Sequence, residues 1–254
     1  MILVFAGTQD GRELAAYLEQ HGYKAAVSVA TTYGAELVSE SENMAVIQGK
    51  LHKEDMLRVF NNMKISAVVD ATHPFARNVS ENAVHACEHA GIHYLRYERA
   101  KGDYKEFENV IVTQSFEDAI DRLNSMNGKI FLTTGSNNLK FVIKEINEKD
   151  RLIVRVLPGT EIMSRCMELG LQPKQVIAMQ GPFSRELNRE MFRQCNTAVV
   201  VTKDSGSVGG MENKLLAAQD LNIPIMVIAR PNIDYPLIAA TFEEVLERVK
   251  QWEN

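Results

Sequence analysis

Two segments constrain the fold more than any others in this chain. Val68-Val69-Asp70-Ala71-Thr72-His73-Pro74-Phe75 and Val199-Val200-Val201-Thr202-Lys203-Asp204-Ser205-Gly206 each read as an apolar strand that stops abruptly in polar residues. A short run without polar alternation suits a strand covered on both faces, the environment of parallel sheets flanked by helices. In such open sheets ligands sit outside the carboxyl ends of the strands.

The two segments occupy corresponding places in two similar halves. Laying Cys87 through Arg99 on Ala218 through Arg230 matches helix end to helix end and strand to strand, and sets His73 opposite Asp204. Ser115 through Leu123 falls on Thr241 through Val249, and Gly7 falls near Gly135. Few residues are identical, so the repeat concerns architecture. A chain of 254 residues fits two domains, each of about 125 residues, a common domain size.

Strand-like and helix-like runs alternate along both halves, the mark of a parallel sheet with crossover helices. The expected strands are 2–6, 25–30, 45–48, 67–70, 93–97 and 110–113, then 130–133, 152–157, 176–180, 198–201 and 225–229. Helices are expected over 11–21, 53–63, 78–90 and 116–125, then 139–148, 161–169, 184–195, 212–221 and 241–251. The polar stretch from Asn124 to Lys129 is the best boundary, giving domains 1–126 and 127–254. A connection this short predicts an interdomain cleft.

Hydrophobic residues at 45% and charged residues at 24% are ordinary globular usage. A net charge of −5 without a basic stripe argues against nucleic acid. Three cysteines give neither an even framework nor a C-x-x-C pair, so a reducing compartment is the default. Residues 1–8 are apolar but lack a positive flank and end too soon for a signal peptide or membrane span. The expectation is a cytoplasmic protein that binds no membrane.

Several loops carry chemistry. Gly7-Thr8-Gln9-Asp10-Gly11-Arg12 is a glycine-bearing strand-to-helix turn, a form that exposes backbone N–H groups to a phosphate. Full G-x-G-x-x-G and Walker patterns are absent, and by spacing alone it reads first as an ordinary βα loop with Asp10 near the N-cap. Thr133-Thr134-Gly135-Ser136-Asn137 opens the second half in a similar way, as a phosphate turn or as a helix cap. His73 precedes a proline, which keeps its backbone out of the helical region and turns the imidazole toward the strand end. Lys203 and Asp204 add a cation and an acid before the glycines at 206, 209 and 210, where lysine can donate a proton or neutralise a carboxylate. Gln180-Gly181-Pro182-Phe183 forms another strand-end turn, and Thr31 and Thr32 lie where a ribose or phosphate often sits. His85-Ala86-Cys87-Glu88-His89 matches a zinc-peptidase spacing but lacks a third ligand, and no metal site is expected.

Taken together and in order, Gly7-Thr8-Gln9-Asp10-Gly11-Arg12, Asp70-Ala71-Thr72-His73-Pro74-Phe75-Ala76, Thr134-Gly135, Gln180-Gly181-Pro182-Phe183 and Val201-Thr202-Lys203-Asp204-Ser205-Gly206 resemble the precorrin-6A reductase family of cobalamin biosynthesis, which includes cobalt-precorrin-6A reductases. The resemblance runs over essentially the whole chain. It implies two Rossmann-like domains with mostly parallel sheets, NADPH or NADH as cofactor, and precorrin-6A or cobalt-precorrin-6A as substrate. The implied reaction delivers a hydride to a ring double bond and a proton to the neighbouring carbon.

On that resemblance Gly7, Thr8, Asp10, Gly11, Arg12, Thr31 and Thr32 are assigned to the cofactor. Lys203, His73 and Asp204 become the catalytic candidates, with Asp204 orienting Lys203. Thr72, Pro74, Phe75, Arg77, Gly135, Ser136, Ser205 and Gly206 are assigned to the substrate, and Arg12, Arg77 and Lys203 suit its acid arms. The reverse assignment, with the cofactor at Gly135, is equally compatible with the residues. A two-domain nucleotide-sugar transferase and a nonenzymatic small-ligand binding protein are the alternatives. Oligomeric state is not legible in these patterns.

Overall fold

The computed structural model describes residues 1–100, 102, 104, 106–206 and 210–252. Two compact units result, one of Met1–Ala100 with Asn232–Asn254 and one of Lys101–Pro231.

The first unit holds β1 (Ile2–Phe5), β2 (Ala25–Val29), β3 (Met44–Gln48), β4 (Ala67–Asp70), β5 (His93–Tyr97) and the two-residue β12 (Ile238–Ala239). Its helices are α1 (Gln9–Gln20), α2 (Thr32–Glu36), α3 (Lys53–Met63), α4 (Arg77–Ala90) and α10 (Phe242–Trp252). The strands pair in parallel in the order β12-β5-β4-β1-β2-β3. Side chains alternate across a strand, so β1 feeds two cores. Ile2 and Val4 join Leu14 and Leu18 of α1 and Val245 and Val249 of α10 on one face. Leu3 and Phe5 join Met56 and Phe60 of α3 and Ala83 and Val84 of α4 on the other.

The second unit holds β6 (Val110–Thr113), β7 (Lys129–Leu132), β8 (Leu152–Val156), β9 (Val176–Ala178), β10 (Thr197–Lys203) and β11 (Ile225–Ile228). Its helices are α5 (Phe116–Asn124), α6 (Leu139–Glu145), α7 (Thr160–Glu168), α8 (Arg185–Gln194) and α9 (Met211–Asp220). The order β6-β11-β10-β7-β8-β9 repeats that of the first sheet strand for strand. Phe131, Ile153, Val200 and Val227 pack there with Phe192 of α8 and Leu215 of α9.

The expected boundary at 126/127 does not hold, because the sixth strand of each sheet comes from the far side of it. β6 follows β5 in the chain yet pairs with β11, Ile225 lying opposite Val110, while β12 follows β11 and returns to β5. The Asn124–Lys129 stretch is an internal connection of the second unit. Asn124 Nδ2 donates to the Glu145 carbonyl at 3.1 Å and its Oδ1 accepts from Asn147 N–H at 2.9 Å. Smaller differences are the unexpected α2, a shorter β9, and a β10 that extends to Lys203.

Candidate functional site

In each sheet the chain steps first to one side of a strand and then to the other, between β1 and β4 and between β7 and β10. Such reversal points leave a crevice at the strand ends where ligands bind in open α/β folds. Most of the expected site residues lie on the loops that follow these four strands.

Only Ala6, Gly7 and Thr8 separate β1 from α1. Thr8 Oγ1 accepts the Gly11 N–H at 3.0 Å, capping the helix, and donates to the Ala71 carbonyl at 3.0 Å, tying this turn to the end of β4. A Cβ on Gly11 would stand 2.7 Å from the Ala6 Cα and 3.1 Å from the Ala71 carbonyl oxygen, so glycine lets α1 approach both strands. A Cβ on Gly7 would meet nothing within 4 Å. The space beside Gly7 and the N-terminus of a twelve-residue helix fit a pyrophosphate, which needs backbone approach and N–H donors. Asp10 pairs with Arg99 at 2.8 Å; burial raises its pKa and Arg99 opposes the rise. Arg12 Nη1 donates to the Thr8 carbonyl at 3.2 Å. Thr31 caps α2 through Gly34 N–H, and Thr32 Oγ1 accepts from Gln48 Nε2 at 2.9 Å.

Behind the β4 end lies a buried polar network. Asp70 Oδ1 accepts from Thr72 N–H at 3.0 Å, Thr72 Oγ1 at 2.7 Å and Arg96 Nη1 at 3.0 Å, while Oδ2 accepts from the Tyr94 hydroxyl at 2.8 Å. Arg96, fully buried on β5, also donates to the Thr72 carbonyl and to Glu98, and lies 5.3 Å from the Tyr235 ring centroid. Burial works against its charge, and Asp70, Tyr235 and Glu98 outweigh it, so its pKa is raised. Burial, then Asp70, pushes the Tyr94 phenol upward.

This network anchors the turn that carries His73. The His73 carbonyl accepts from Ala76 N–H at 2.7 Å across Pro74 and Phe75, a turn in which proline presets the second position. His73 Nδ1 accepts from Phe75 N–H at 3.2 Å, which puts the ring proton on Nε2. Thr72 is thereby a structural residue of the network. Arg77 begins α4 and pairs with Glu81 at 2.7 Å on an exposed face.

In the second unit the loop after β7 is longer, running from Thr133 to Asn138. Thr133 is held to the Val201 carbonyl, and Gly135 takes the left-handed φ of +74° that favours glycine. Lys203 Nζ donates to Asn138 Oδ1 at 3.3 Å and lies 5.4 Å from the Phe116 ring centroid; burial lowers its pKa to about 8. Asp204 is not its orienting partner, because successive residues at a strand end point to opposite sides. Asp204 Oδ2 lies 3.5 Å from Arg230 Nε, which also donates to the Asp204 carbonyl at 3.3 Å. Its buried Oδ1 has no hydrogen-bond partner among the described residues. Tyr104 is close by, its hydroxyl pushed upward by burial and then by Asp204. Ser205 and Gly206 follow, a Cβ on Gly206 falling 3.3 Å from Arg230 Nη2. Ser207, Val208 and Gly209 lie outside the described residues.

Sequence reasoning missed two buried cations of this unit, Arg155 on β8 and Lys214 on α9, 6% and 8% exposed. For Arg155 the signal is a charge in an otherwise apolar buried strand, which Arg96 shares, whereas Lys214 follows Glu212 and Asn213 and carries no such mark. His85 pairs with Glu88 at 3.4 Å on an exposed face, and no group of three metal-ligating side chains assembles among the described residues. No helix among the described residues is long and apolar enough to cross a membrane.

Two parallel six-stranded sheets, each with its order reversal and one with a tight glycine turn into a capped helix, make this a Rossmann-like α/β protein. The family model described as precorrin-6x reductase CbiJ/CobK matches residues 1–250. The chain is 40% identical over 248 residues to a cobalt-precorrin-6A reductase of Priestia megaterium, covering 97% of this chain and 96% of that one. It is 38% identical over 254 residues to one of Methanocaldococcus jannaschii, covering 100% and 98%. A solved structure of CobK precorrin-6A reductase superposes with a TM-score of 0.80 at 26% identity, covering 99% of this chain and 96% of the other. The chain belongs to the precorrin-6x reductase family, a family of oxidoreductases.

Proposed function

We propose that this protein reduces a ring double bond of cobalt-precorrin-6A with a nicotinamide cofactor bound at the turn between β1 and α1. The match over residues 1–250 carries this reading. The cobalt-bearing form is favoured because the relatives at 40% and 38% identity bear that name, whereas a Rhodobacter capsulatus relative named precorrin-6A reductase is 28% identical. The cobalt belongs to the substrate.

When bound, the cofactor supplies the hydride, and the protein has to orient the reactants and route a proton. Gly7 gives the pyrophosphate backbone access, and Thr8, through its bonds to Gly11 and Ala71, keeps the turn in shape. The second unit is the weaker cofactor candidate: α6 has only seven residues and no side-chain cap. NADPH is favoured over NADH because β2 runs into Ala30, Thr31 and Thr32 without the acid that would hold a 2′-hydroxyl.

Lys203 is the preferred proton donor to the carbon beside the one that accepts hydride. With a pKa near 8 it is mostly protonated at neutral pH and gives up its proton readily. His73, with its proton on Nε2, is the second candidate. The reaction adds one hydride and one proton to the double bond and leaves the nicotinamide oxidised. Measuring turnover and KM for Lys203→Ala separates the roles: a large loss of turnover at saturation supports the proton donor, and weaker binding with full turnover makes Lys203 a carboxylate anchor instead. An NADPH preference in kcat/KM is expected; equal use of NADH refutes the cofactor assignment.

A further inference from the structure

We propose that Asn138 and Phe116 are positioning residues for the Lys203 ammonium, two uncharged groups that hold it at the end of β10 without neutralising it; what the ammonium then does rests on the reductase reading above. Asn138 precedes α6, where an asparagine side chain ordinarily accepts an N–H of the first helical turn. It makes no such bond here, at φ −98° and ψ 3°. Its carbonyl accepts the Val142 N–H at 3.0 Å and so starts the helix, while its side-chain oxygen accepts instead from Lys203 Nζ, 65 residues away, at 3.3 Å. The two meet because β7 and β10 are neighbours, Leu132 lying opposite Val201, so the loop after β7 and Lys203 leave the same end of the sheet.

Phe116, the first residue of α5, is buried, and its ring centroid lies 5.4 Å from the same nitrogen. An aromatic face attracts a cation within about 6 Å. The charged residues of the neighbouring elements are engaged elsewhere or exposed. Asp204 meets Arg230 at 3.5 Å, on the other side of the strand end. Asp118 of α5 pairs with Arg122 at 2.8 Å and Lys144 of α6 with Glu145 at 2.8 Å, while Glu117 and Lys140 are exposed. A neutral acceptor has a chemical consequence. Burial lowers the pKa of Lys203 to about 8, which suits a proton donor near neutral pH, and an amide leaves that value low. A carboxylate in the same place would favour the charged form and hold the proton on the lysine.

The test uses the whole protein and the variants Asn138→Asp, Asn138→Ala and Phe116→Leu. A first readout does not depend on catalysis: the rate at which acetic anhydride acylates Lys203 is followed across pH by mass spectrometry of its peptide, and the midpoint reports the proton affinity of the amine. Asn138→Asp should move that midpoint up by about one pH unit or more, because it sets an opposite charge beside the ammonium. Asn138→Ala and Phe116→Leu should move it down, because each removes a group that favours the charged form. The basic limb of turnover should follow in the same directions, and Asn138→Ala should lose about tenfold in turnover at saturation with the KM for the nicotinamide cofactor within about twofold. Its melting temperature should stay within about 2 °C of the parent, since no cap bond is lost. If the acylation midpoints move as expected but the parent does not reduce cobalt-precorrin-6A, the reductase reading fails and the positioning stands. Midpoints that coincide in the parent and Asn138→Asp overturn it, and so does a lower melting temperature in Asn138→Ala with an unmoved midpoint, which would make Asn138 a structural residue of α6.

Discussion

Replacing Asp70 with asparagine tests whether the buried network behind β4 holds the first unit together. The carboxylate accepts four hydrogen bonds, at 2.7 to 3.0 Å, and faces a guanidinium that is 0% exposed. Removing one partner of a buried ion pair typically costs about 3–5 kcal/mol. Glu98 still meets Arg96 Nε at 3.0 Å and asparagine retains one acceptor oxygen, so the low end applies, about 3 kcal/mol. At about 4 °C per kcal/mol for a unit of this size, its unfolding should move down by about 12 °C. Calorimetry and urea titration followed by circular dichroism measure this. In the pair Asp70→Val with Arg96→Met neither charge is left alone, and part of the loss should return. Tyr94 adds a pH arm. Its folded pKa is raised, so its contribution is complete below the unfolded value of about 10 and is lost as pH rises beyond it. A change below about 0.5 kcal/mol for Asp70→Asn, or a double variant weaker than the single one, would refute the reasoning.

The two glycines of the first turn should separate packing from binding. Gly11→Ala forces a Cβ to 2.7 Å from Ala6 Cα and should cost about 1–3 kcal/mol in chemical denaturation. Gly7→Ala meets no protein atom within 4 Å, so stability should stay within about 0.5 kcal/mol while cofactor affinity by fluorescence falls about tenfold; unchanged affinity would remove the pyrophosphate from this turn. If Lys203 gives the proton, turnover is full below its pKa of about 8 and falls above it, and the more basic Lys203→Arg should shift that limb to higher pH. A wild-type profile flat through pH 8 would exclude Lys203 as donor.

The alternation of buried strands and amphipathic helices was legible because parallel strands covered on both faces are continuous apolar runs, as in Ile2–Phe5 and Ile225–Ile228. The exchange of edge strands was not. β6 and β11 choose each other through hydrogen bonds across more than a hundred residues, and Ile238–Ala239 is too short to show a period. The turns at Gly7 and His73 were readable from local chemistry, through glycines that follow an apolar strand and through a proline, whereas the cap that Thr8 places on Gly11 N–H emerged only in the fold. Lys203 was recognisable as a charge at a strand end, but its partners were not, since Asn138 and Phe116 reach it only after folding. Arg96 and Arg155 left a fainter mark, a single cation in an apolar strand, whose meaning depends on what packs above it.

Anaerobic mixing of the protein with reduced nicotinamide cofactor and cobalt-precorrin-6A tests the central claim most directly. One nicotinamide should be oxidised for each macrocycle consumed, and the product should gain the mass of two hydrogens, one of them deuterium when the transferable position of the cofactor is deuterated. Cofactor oxidation without that mass gain, or a macrocycle that returns unchanged, would contradict the account.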